Sequence, residues 1–137
     1  MQPKILLCDA NITIRLLTND SEKLTPIVIK LFTDAQKGIH KLYFTTPCIA
    51  EIIWVLQSHY NQKPQRISET LKTLLTQKGV ILHEPLVILQ ALEDYKTQNV
   101  DFIDAYHARL ALNTAFEMTS FDRDFKKWPE LNCKPLQ

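Results

Sequence analysis

The sequence predicts an α/β domain: a three-layer α/β/α sandwich whose central parallel sheet of four to five strands is covered by helices on both faces. Three observations predict it. Short apolar runs alternate with longer stretches whose apolar residues recur every three to four positions, the pattern of strands joined by crossover helices. Helix start and stop residues stand at the joins, among them Gly38, Thr46-Pro47, Gly79 and Pro85. The chain has 137 residues, 45% of them hydrophobic and 23% charged, which suits a single domain with one core.

Taken in order, Lys4 to Cys8 (KILLC) is a short apolar run and reads as a buried strand that ends directly on Asp9. Asn11 then caps a short helix over ITIRLLTND. From Ser21 to Lys37 apolar residues fall at 24, 27, 28, 31, 32 and 35, a helical period that Gly38 stops. Lys41 to Thr45 reads as the second strand. Thr46 as cap and Pro47 at the first helical position open a helix to about His59. A polar connector, Asn61 to Pro64, leads to a helix over Gln65 to Gln77 with Ile67, Leu71, Leu74 and Leu75 inward, and Gly79 precedes a brief strand at Val80 to Leu82. Pro85 opens a helix to Thr97, and Asp101 opens another to Thr114. Ala115 to Thr119 reads as a strand, and Asn132 to Leu136 as a last short one.

Several function classes are excluded at this level. No apolar run approaches the ~20 residues of a membrane span, and the N-terminal apolar stretch is too short for the core of a signal peptide, so the expected location is the cytoplasm. Cys8, Cys48 and Cys133 form no closely spaced pair, which points to reduced thiols and away from a disulfide framework or zinc. With Gly38 and Gly79 its only glycines, the chain has no phosphate-cradling loop. His40, His59 and His83 show no ligand spacing, and no serine or cysteine has triad partners at a recognisable spacing. Net charge is +1; if four carboxylates are set aside as metal-bound, the remainder is +1 − (−4) = +5, a modest basic surface suited to a nucleic acid.

Six acids need explaining. Asp9 stands at the carboxyl end of a strand, where open α/β sheets put their ligand sites; the alternative, a helix cap, is a role Asn11 can fill. Glu51 has Pro47, Cys48, Trp54 and Val55 at three and four residues, so no helix orientation gives it a mostly polar face. An ionised carboxylate so placed costs several kcal/mol unless a cation, or a salt bridge to Arg15 or Arg109, compensates it. Asp101 fits a helix cap, with Asp104 in the first turn behind it. Asp122 follows a strand as Asp9 does, and Asp124 suits a cap for the turn that follows. His107, one turn after Asp104, fits an ordinary helix-surface histidine better than a site residue.

The segments LLCDANITIRLLTND, TTPCIAEIIWVL, VDFIDAYHARLAL and MTSFDRDF, in that order, resemble the PIN-domain family, and within it the VapC-type toxins of bacterial toxin–antitoxin pairs. The resemblance runs from residue 5 to about 128. It implies a PIN-like fold and an endoribonuclease using one or two Mg²⁺ or Mn²⁺ ions, the hard cations that an all-carboxylate set selects. It places the four family acids on Asp9, Glu51, Asp104 and Asp122, with Asp9 and Asp104 central and Glu51 and Asp122 direct or water-mediated. Asn11 and Ser120 would orient a carboxylate or water, with Thr119 the alternative hydroxyl; Arg15, Arg109, Arg123, Lys126 and Lys127 are candidate phosphate contacts. The partners it implies are RNA, a cognate antitoxin and a second copy of the chain. Three other readings stay open. A haloacid-dehalogenase-type phosphotransferase wants a second Asp where Asn11 stands; a non-catalytic acidic binding module and a housekeeping nuclease of the same family are the others.

Overall fold

The computed structural model describes residues 2–19 and 21–135. The described elements are β1 (Lys4–Leu7), α1 (Ala10–Thr18), α2 (Thr25–Gln36), β2 (His40–Phe44), α3 (Thr46–Ser58), α4 (Pro64–Leu75), β3 (Val80–Leu82), α5 (Pro85–Thr97), α6 (Phe102–Thr114), β4 (Met118–Ser120), a 3₁₀ turn (Arg123–Lys127) and β5 (Cys133–Pro135). Leu136 of the expected last strand lies outside the described residues. The chain divides into two compact units, one running to Pro85 and the other beginning at Leu86.

The first unit is a parallel three-stranded sheet in the order β1-β2-β3, with α1 and α2 making one crossover and α3 and α4 the other. β2 is central, and its Leu42 and Phe44 are fully buried. Ile49, Ile52 and Leu56 of α3 and Ile67 and Leu71 of α4 fill the same core, each about one helical turn from the next on its own helix. β1 is an edge strand. Its expected burial is corrected: Ile5 and Leu7 are exposed while Leu6 is half-buried and Cys8 buried, the period-two alternation of a strand with one face covered.

Local chemistry explains the helix ends. Gly38, at φ +82°, ends α2 as expected. The α3 cap is one residue earlier than the sequence pattern suggests: the Thr45 side chain accepts from the Cys48 N–H, and Pro47 takes the second helical position. Asp9, not Asn11, occupies the N-cap position of α1, yet its side chain makes no capping hydrogen bond; Asn11 lies exposed in the first turn.

Gly79 has φ +90°, and its carbonyl accepts from Leu42 N at 2.8 Å, entering the β2–β3 ladder. A Cβ there would lie 2.6 Å from the Ala35 carbonyl carbon and 2.9 Å from the Ala35 Cβ. Gly79→Ala combines left-handed strain with a backbone clash, so it is expected to destabilise the chain by about 2–4 kcal/mol. A urea titration reads this as a lower midpoint at unchanged slope.

The second unit packs α5 and α6 with a parallel pair, β4 and β5. The α/β class and the parallel strand direction are as expected, but the five described strands form ladders of three and two instead of one ladder of four to five. α6 ends on Ala115 in the left-handed conformation and β4 begins only at Met118, so its ladder with β5 is three residues long. Ile88, Ala91, Leu92, Phe102, Ala105, Ala108, Phe125 and Trp128 form the core of this unit. No helix among the described residues is long and apolar enough to cross a membrane.

Candidate metal centre

In the second unit Asp104, Asp122 and Asp124 each offer a carboxylate oxygen, and these oxygens all lie within 4.8 Å of one another. Asp104 comes from the first turn of α6, behind Asp101, which holds the N-cap position. Asp122 sits in the turn after β4, held by two hydrogen bonds. Its N–H donates to Ser120 Oγ at 2.9 Å, and its Oδ1 accepts from the Asp124 N–H at 2.9 Å. Asp122 therefore caps the 3₁₀ turn, a role the sequence pattern assigns to Asp124. Asp124 instead stands exposed in the acid cluster, which sequence reasoning missed; the i, i+2 spacing of Asp122 and Asp124 on a tight turn was the available signal. Ser120, half-buried, engages the turn, whereas Thr119 is exposed.

The electrostatics of the cluster favour a cation. Burial raises the pKa of Asp104, and the neighbouring carboxylates of Asp122, Asp101 and Asp124 raise it further, while His107 opposes them weakly. Such a set of hard oxygen donors, crowded enough to disfavour its own ionisation, fits a divalent cation of the Mg²⁺ or Mn²⁺ type. The residues present therefore suit the ion that the sequence motifs imply.

In the first unit Asp9 follows β1 at the head of α1, and Glu51 lies on the second turn of α3. Both are exposed, so the expectation that Glu51 is enclosed by apolar neighbours is corrected. Its helix buries Cys48, Ile49, Ile52 and Ile53, and Glu51 falls on the open side with Trp54, which is 60% exposed. Of its neighbours at three and four residues Pro47 and Trp54 are exposed, Val55 is half-buried and Cys48 is buried, and the apolar composition of α3 conceals which is which. Asp9 and Glu51 converge electrostatically on one group: burial pushes the Cys48 thiol up to about 12, and Cys8, Asp9 and Glu51 each push it the same way. Cys8 and Cys48 are buried free thiols, as expected.

The candidate phosphate contacts divide. Arg123 and Lys126 are exposed and line a cavity of about 600 Å³ together with Ser120 and Asp122. Arg15 lines a smaller cleft of about 300 Å³ with Asn11 and His59. Arg109 is not available: its Nε and a terminal nitrogen grip Asp94 at 2.5 and 2.8 Å, and Trp128 Nε1 donates to the same carboxylate at 2.9 Å. Lys127 donates to the Asn99 carbonyl at 3.1 Å. The Asp94 hub is 3% exposed and was not anticipated, although Asp94 shares the α5 stripe of Val87, Ala91 and Tyr95, where a carboxylate needs a partner. The alternative of a salt bridge from Glu51 to Arg109 is corrected: Asp94 is the partner of Arg109.

Comparison with known proteins bears on the whole chain. The family model of the PIN domain matches residues 6–131. No curated protein matches the sequence.

Proposed function

From the premise that the chain belongs to the PIN-domain family, whose members are generally metal-dependent nucleases, we propose that it is an endoribonuclease with Asp9, Glu51, Asp104 and Asp122 as ligands of one or two Mg²⁺ or Mn²⁺ ions. The observation that carries this reading is the cluster of Asp104, Asp122 and Asp124, in which burial and mutual repulsion oppose the ionised state of Asp104. A bound divalent cation supplies Lewis-acid chemistry: it lowers the pKa of a water and neutralises charge on the scissile phosphate.

The chain's own residues have separable tasks. Asp122 is aimed by Ser120 and by the Asp124 N–H, so its remaining lone pairs are oriented before any ligand arrives. Asp104 stands in the first turn of α6, where the positive end of the helix dipole offsets part of its charge. Asp9 is at the N-cap position of α1 with its side chain uncommitted to capping, so the carboxylate can serve elsewhere. Arg123 and Lys126 flank Asp122 and supply positive charge for phosphates. The order of the four motifs supports extending the reading to a VapC-type toxin with a cognate antitoxin and a homodimeric state.

Removing divalent cations with EDTA is expected to abolish RNA cleavage, and Mn²⁺ or Mg²⁺ is expected to restore it. Cleavage that persists undiminished in EDTA, from a preparation free of contaminating nuclease, would contradict the proposal.

A further inference from the structure

Phe121 is 80% exposed, the most solvent-open of the large hydrophobic side chains described, and no core needs it. Its two neighbours are tied together by the Ser120–Asp122 hydrogen bond, and Asp122 is tied onward to Asp124, so a hydrogen-bonded turn presents Phe121. Phe121 lines the same 600 Å³ cavity as Asp122, Arg123 and Lys126, and the nearly buried Phe125 and Trp128 reach its lining at their edges. An exposed aromatic on a hydrogen-bonded turn, beside two cations and an acid cluster, matches what a single-stranded nucleic acid requires: a face for a base and positive charge for the phosphates next to it.

We propose that this cavity takes one nucleobase of a single-stranded RNA, stacked on Phe121, with Arg123 and Lys126 against the adjoining phosphates. The inference rests on the nuclease reading for the choice of RNA, and it adds the residue that positions the strand. The volume suits a nucleotide-sized group. Phe125 and Trp128 are nearly buried, and the Trp128 N–H is already donated to Asp94. The stacking surface is therefore Phe121 itself, and because every base has a π-face the site should accept purines and pyrimidines alike. Paired bases are stacked within a helix and present no free face, so duplex RNA should not use it.

The test is binding of a short single-stranded RNA carrying 2-aminopurine, followed by anisotropy and by 2-aminopurine quenching, with Ca²⁺ present to balance the acids. The wild-type chain is expected to bind and quench. Phe121→Ala should weaken binding roughly tenfold to a hundredfold and lose the quenching, by the usual effect of removing one stacked base. Phe121→Trp should retain both. Binding of the matching duplex should be equal in all three proteins. Equal single-strand affinity in wild type and Phe121→Ala overturns the inference. So does failure of the wild type to bind. A parallel cleavage assay separates the two claims: Phe121-dependent binding without metal-dependent cleavage removes the nuclease reading alone, and cleavage indifferent to Phe121 removes this inference alone.

Discussion

Asp104→Asn is expected to lower metal-dependent RNA cleavage roughly a thousandfold, the size expected when several kcal/mol of cation-borne stabilisation are lost. The same substitution should make the metal-free protein more stable, and this pairing distinguishes a site residue from a structural one. In the folded chain the Asp104 carboxyl has a raised pKa, first through burial and then through Asp122, Asp101 and Asp124. A carboxyl with a folded pKa above its unfolded value carries no penalty below the unfolded pKa. As pH rises through the window between the two values the unfolded chain gives up its proton while the folded chain keeps it, which favours unfolding, and the penalty is complete above the folded pKa. At neutral pH the asparagine removes that penalty, so thermal unfolding in EDTA should occur at a higher temperature than in wild type. Acidification should narrow the difference. Lower stability in the variant would identify Asp104 as a packing residue and remove its functional role.

Asp94→Ala is expected to cost about 3–5 kcal/mol, the largest effect on stability of any single substitution considered. Asp94 is the common acceptor for both forks of Arg109 and for the indole N–H of Trp128. Removing it leaves a guanidinium and an indole N–H without their acceptor, in the unit whose core includes Trp128 and Phe125. Asp94→Asn should cost less, because the amide oxygen keeps one acceptor while the charge is lost. The measurement is a urea midpoint for the two variants. An Asp94→Ala chain as stable as wild type would show that the network adds nothing to the fold.

Much of the architecture was legible in the sequence because its signals are local. Gly38 and the threonine–proline pair before α3 mark ends that depend only on nearby backbone geometry, and the 3.6-residue period of α2 and α4 reports one buried stripe each. What was hidden depends on residues far apart in the chain. The partner of β4 is set by which strand reaches it, and no feature of Met118–Ser120 announces β5. The openness of Glu51 and of Ile5 and Leu7 follows from which faces of α3 and β1 are covered, and a helix or strand apolar on every side does not declare that. Asp94 stands on the apolar stripe of α5, but nothing local names Arg109, 15 residues on, as its partner. At the candidate site, Asp104 and Asp122 lie in one cluster, and Asp124 joins them because a tight turn folds i and i+2 onto one side.

The reading depends most on Asp9 being as necessary for catalysis as Asp104. The direct measurement is Mn²⁺-dependent cleavage of RNA by Asp9→Asn, with circular dichroism showing that the variant is folded. The predicted result is no cleavage above the protein-free control. Full activity in that variant, from a nuclease-free preparation, would contradict the assignment of the metal ligands and with it the proposed mechanism.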